Sequence, residues 1–112
     1  MKMFVYLIDL KDGVAEKYIE RHAHIEPAVP AMLEKLHVRQ NRICRLGNHL
    51  INIMILDDDT PDDVLKEYTA DPACRTWDEE MSLLQKKLPE AQENEWWAQT
   101  ETVFLFDQIG IK

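Results

Sequence analysis

A chain of 112 residues suits one folding unit, and 46% hydrophobic against 30% charged residues separates it from disordered or fibrous sequences. With 13 Lys+Arg against 21 Asp+Glu the net charge is −8, which repels phosphate backbones and anionic headgroups, and no apolar run reaches the ~20 residues of a membrane span. Nucleic acid and membranes are therefore not expected partners, whereas an uncharged small molecule is compatible with this field.

The first run, Met1 to Ile8, is basic and then apolar, but Asp9 ends it too early for a secretory leader, and it predicts a strand over Met3 to Leu10. Its alternating sets, Met3-Val5-Leu7 and Phe4-Tyr6-Ile8-Leu10, are both apolar, so both faces are expected to be occupied. Lys11-Asp12-Gly13 is turn chemistry, after which Val14, Tyr18, His22 and Ile25 recur at helical spacing. Pro27 and Pro30 predict a bend near Glu26 and a second helical stretch with Val29, Met32, Leu33 and Leu36 on its apolar stripe.

Asn41 to Leu46, the pair Gly47-Asn48, and Leu50 to Leu56 form the clearest hairpin signal. Asp57-Asp58-Asp59-Thr60-Pro61 has the composition of a helix start, with Pro61 at the first position and a helix to about Ala70. Asp71-Pro72 repeats that start, and Trp77, Met81, Leu84 and Leu88 mark the buried side of a further helix that Pro89 closes. Glu90 to Glu95 reads as a polar loop and Thr102 to Phe106 as a last strand.

The order β, bent α, β, β, bent α, β predicts a single ferredoxin-like α+β domain over residues 1–112, a βαββαβ unit with helices on one face of an antiparallel sheet. The other face would carry residues such as Ile51, Ile53, Ile55 and Phe104, too apolar for open water. Two copies packed sheet to sheet, a dimeric α+β barrel, would cover it, and homodimers are the commonest oligomers.

Cys44 and Cys74 lie outside any C-x-x-C pattern, which suggests neither a zinc ribbon nor a redox pair and suits reduced thiols in the cytoplasm. Tyr18 and His22 share a helix face one turn apart, so His22 could exchange protons near neutral pH beside a positioning phenol; packing alone also produces such pairs. His22, His24 and Glu26 suggest a metal only if the segment is extended, because i and i+2 diverge on a helix. The acidic run from Asp57 to Asp63 lacks the glycine and closing glutamate of a calcium loop and reads as a solvated helix start. No metal site is expected. Cys44 has no base near it in sequence, and strands often carry buried thiols. Trp77, Trp96 and Trp97 could pack in the core or stack on the C–H face of a sugar; adjacent Trp96 and Trp97 cannot both point inward from an extended segment.

Tyr18-x-x-x-His22, the bend Ile25-Glu26-Pro27, Arg45-Leu46-Gly47-Asn48, Trp77 with Met81, Leu88-Pro89 and Glu101-Thr102-Val103-Phe104, taken in order, resemble the L-rhamnose mutarotase family nearly end to end. The Arg-Leu-Gly-Asn hairpin and the Trp97 region look closer to the L-fucose branch. The resemblance implies a cytoplasmic homodimer of ferredoxin-like subunits that interconverts α and β anomers of a 6-deoxy-L-sugar without a cofactor. It implies His22 as the catalytic residue, Tyr18 as the sugar-positioning tyrosine and Trp77 as a family tryptophan. Trp97 is expected to line the pocket beside it. The chain departs from the family pattern at Ile25-Glu26-Pro27-Ala28, usually Ile-Trp-Pro-Glu, at Asn41, a tyrosine in the rhamnose branch, and at Asp78, where a second tryptophan follows the first. Asn41, Asn52, Arg45 and Glu26 are candidate hydroxyl partners. The alternative is a dimeric α+β barrel that binds a small molecule without turnover, or oxidises one.

Overall fold

The computed structural model describes residues 1–112. In chain order the elements are β1 (Lys2–Leu10), α1 (Ala15–Ala23), α2 (Ala28–Lys35), β2 (Val38–Leu46), β3 (His49–Leu56), α3 (Val64–Tyr68), α4 (Pro72–Ser82), β4 (Gln85–Lys86) and β5 (Ala98–Gln99). The sheet order is β2-β3-β1-β4, with β5 also on β1 and every pairing antiparallel. This is the ferredoxin-like arrangement of an α+β fold, with the position of a single fourth strand shared by two short pieces.

Strand parity decides which side chains are buried. Tyr6 lies opposite Asn52 and Ile8 opposite Leu50, and these residues with Leu10, Met54 and Leu56 form the face that the helices cover. Ile8, Leu50, Met54 and Leu56 are fully buried, and each such side chain contributes about 1.5–3 kcal/mol relative to exposure. Val5 opposite Ile53 and Leu7 opposite Ile51 occupy the second face and are only half-buried. That face is apolar as anticipated, but Phe104 is not part of it.

The turns follow from backbone chemistry. Gly13 (φ 77) opens the chain into α1, and Gly47 (φ 60) closes the β2–β3 hairpin, both in the left-handed region that favours glycine. The carboxylate of Asp71 accepts from the Cys74 N–H at 3.0 Å and Pro72 occupies the first turn of α4, as the Asp-Pro pair predicts. Pro27 stands at the start of α2, which makes the bend after α1.

Four expectations need correction. The helix expected from Pro61 to Ala70 is the single short α3, Val64–Tyr68, because Asp62 and Asp63 form a turn ahead of it. β2 begins at Val38, before Asn41. The helix expected to carry Leu84 and Leu88 ends at Ser82, and Gln85 instead pairs with Leu10 on the free edge of β1. Edge backbone groups need partners, and this pairing supplies them. Finally, Thr102 to Phe106 is not a strand. The edge of β1 is already taken by Gln99 opposite Tyr6 and Ala98 opposite Leu7, and Thr100 bonds the Val5 carbonyl through its N–H and its hydroxyl. Val103 to Phe106 then lie beyond the edge and exposed.

Candidate active site

The helical pitch brings Tyr18 and His22 together on α1, with ring centroids 4.3 Å apart and planes tilted by 32°. Nδ1 of His22 lies 2.9 Å from the Tyr18 carbonyl oxygen. A carbonyl can only accept, so this contact assigns the proton to Nδ1 and leaves Nε2 as the basic nitrogen of the neutral ring. Burial lowers the imidazole pKa below 6.5, and the Arg21 charge lowers it further, while the bond to the Tyr18 carbonyl opposes both. His22 is therefore neutral at pH 7.

Trp77 of α4 meets the His22 ring edge-on, at 5.4 Å and 74°. The Arg21 guanidinium sits 5.1 Å from the Trp77 ring centroid and pairs with Glu80, which ties α1 to α4 across the indole. Tyr18, His22 and Trp77 line a cavity of about 600 Å³ between the helices and the covered face of the sheet. Such a volume admits a small ligand.

His22, Tyr18, Asn41, Trp77 and Trp97 all line this one cavity. Asn41 reaches it from β2 and donates through Nδ2 to Asn52 Oδ1 at 2.6 Å. Asn52 is itself buried and lines the same space, as does Arg45, whose guanidinium also bonds the Gly47 carbonyl. Glu26 lies elsewhere, in a separate groove with Arg21, His24 and Glu80. Of the adjacent tryptophans, Trp97 packs against the core and Trp96 is 38% exposed.

Two cavity residues escaped the sequence reading as contributors. Gln85 was masked by a predicted helix, yet its Nε2 donates to the Tyr18 hydroxyl at 3.3 Å and its Oε1 accepts from Trp96 Nε1 at 2.7 Å. The Tyr18 phenol is pushed up to about 12, first by burial, and stays protonated through the neutral range. Asp78 also lines the cavity, and burial raises its carboxyl above the ordinary carboxylate range. Only its place beside Trp77 could have marked it.

His22 and His24 diverge as helical geometry requires, with His24 exposed beside Glu20. A different group assembles on the surface, where His37, Asp57 and Asp59 bring ligand atoms within 4.8 Å of one another. Arg39 Nε already holds Asp57 at 2.7 Å and His37 Nδ1 lies 3.2 Å from Asp59, so both carboxylates already have partners within the chain.

Fold and cavity together define a ferredoxin-like α+β protein with a neutral, titratable imidazole in its pocket wall. The chain belongs to the L-rhamnose mutarotase family, whose model matches residues 3–106. An L-fucose mutarotase of Xanthomonas campestris pv. campestris is 26% identical over 114 residues, covering 96% of this chain and 90% of that protein. In structure the chain resembles an L-rhamnose mutarotase from Formosa agariphila, with a TM-score of 0.73, 18% identity, and coverage of 96% of this chain and 100% of that one. It also resembles the tetracenomycin F2 cyclase of Streptomyces glaucescens, a type II polyketide cyclase, at TM-score 0.68, 14% identity, and coverage of 96% and 98%. The two structural likenesses establish the fold; family membership supports an isomerase-type enzyme of the sugar mutarotase kind. No helix is long and apolar enough to cross a membrane.

Proposed function

We propose that this protein interconverts the α and β pyranose anomers of a 6-deoxy-L-hexose, L-fucose or L-rhamnose, as a cytoplasmic homodimer. The observation that carries the reading is the neutral His22 ring, tied through Nδ1 and left basic at Nε2, in the wall of a cavity of about 600 Å³. In this mechanism Nε2 takes the proton of the anomeric hydroxyl and the resulting imidazolium delivers a proton to the ring oxygen. The bond from C1 to the ring oxygen breaks, giving the open-chain aldehyde. Rotation about C1–C2 presents the other carbonyl face, and the same transfers in reverse close the ring as the other anomer.

One group near its pKa can serve both steps, and general acid–base catalysis supplies about 10²–10⁴-fold. Tyr18 hydrogen-bonds the sugar, Trp77 and Trp97 face its C–H surface, and Asn41 with Asn52 meets its hydroxyls. Support for the homodimer comes from the apolar second face of the sheet, where Val5, Leu7, Ile51 and Ile53 are only half-buried.

The test is NMR saturation transfer between the α and β anomeric protons of L-fucose and of L-rhamnose. Native protein is expected to accelerate exchange of at least one sugar, and His22→Ala to lower that rate about 10²–10⁴-fold. Exchange unchanged in His22→Ala removes the imidazole from the mechanism; none with either sugar in native protein overturns the reading in favour of a binding protein.

A further inference from the structure

Asp78 follows Trp77 on α4 and lines the cavity together with His22 and Tyr18. Its carboxyl is half-buried and enters none of the side-chain hydrogen bonds or ion pairs within the chain, whereas Glu80, two residues on, is paired with Arg21. No fully buried side-chain oxygen in the protein lacks a partner, so the unpartnered oxygens of Asp78 retain an opening. Burial raises this carboxyl's pKa, with Glu79 adding to the rise, and the same carboxylate charge raises the phenols of Tyr18 and Tyr68. A half-buried carboxyl without an internal partner keeps acceptor oxygens unused, and a ligand that brings donors would satisfy them.

An ionised carboxylate offers two acceptor oxygens and no donor. Two adjacent hydroxyls on a pyranose offer two O–H donors to that pair, and hydrogen bonds to a charged acceptor are the stronger kind. The neighbouring Trp77 supplies a flat apolar surface, so α4 presents to the cavity both of the features that a sugar ring requires, one for its C–H face and one for its hydroxyl rim. We propose that Asp78 is the specificity-determining anchor of the site and accepts hydrogen bonds from two adjacent ring hydroxyls, which holds the anomeric centre toward His22. This rests on the mutarotase reading for the reaction, but the anchoring itself is a binding property.

The test therefore reads binding and turnover separately. Binding of L-fucose, of L-rhamnose and of their monodeoxy analogues is followed by tryptophan fluorescence, and exchange by saturation transfer, for native protein, Asp78→Asn and Asp78→Ala. Both variants are expected to weaken binding of the preferred sugar about 10- to 100-fold, raising KM more than they lower kcat, without lowering the thermal midpoint. Removing an anchored hydroxyl should weaken binding to native protein and leave binding to Asp78→Ala unaffected. Native affinity in both variants, or the same deoxy penalties in all three proteins, overturns the anchor. If native protein binds a sugar without exchanging it and Asp78→Ala weakens that binding, the mutarotase reading falls and the anchor stands. If native protein binds none of the sugars, the anchor falls as well.

Discussion

His22 is useful because of what its other nitrogen touches. With Nδ1 held by the Tyr18 carbonyl, the ring has one tautomer and one basic nitrogen, and burial keeps it neutral at physiological pH. The rate should then fall on the acid side as Nε2 takes a permanent proton. Because the pKa is lowered, the midpoint of the acid limb of kcat/KM is expected below 6.5. Arg21→Gln removes a neighbouring positive charge and should move that midpoint upward, measured in the same pH series. Tyr18 poses a different question. Its buried hydroxyl accepts from Gln85, so Tyr18→Phe leaves an amide donor without its partner and is expected to cost about 1 kcal/mol in urea unfolding.

Among the elements, α4 has the most to do, since Trp77 and Asp78 both hang from it and its start depends on the Asp71 cap. Asparagine caps a helix about as well as aspartate and alanine does not. Asp71→Asn should keep the thermal midpoint close to native, while Asp71→Ala lowers it by calorimetry. The signals at the start of this helix were readable because capping and proline chemistry are local. Its end was not, because Leu84 and Leu88 continue the helical spacing while Gln85 is claimed by the edge of β1. The same edge explains the misplaced last strand. Thr102 to Phe106 has strand-forming side chains, but Ala98 and Gln99 come first along the chain and occupy the available backbone groups. Local propensity cannot report which segment reaches an edge first.

For the molecule as a whole, the open question is what covers the second sheet face. Native protein is expected to sediment at twice the 13.2 kDa of one chain. A Leu7→Lys, Ile53→Lys double variant, with both charges on that face and none in the covered core, should sediment as a folded monomer with native far-UV circular dichroism. Native protein that runs as a monomer at working concentration would remove the sheet-to-sheet dimer.

The chain's own pattern determined the α+β class, the hairpin, the bend after α1 and the placing of Tyr18 beside His22, all of which follow from dihedral preferences and short-range periodicity. It also carried the ordered residues that mark the family. What only the folded structure decided is which distant residues share the cavity: Asn41 and Asn52 from the sheet, Asp78 from α4, and Gln85 linking Tyr18 to Trp96. Those neighbours come from strand register and helix packing, which set long-range positions that no local spacing encodes.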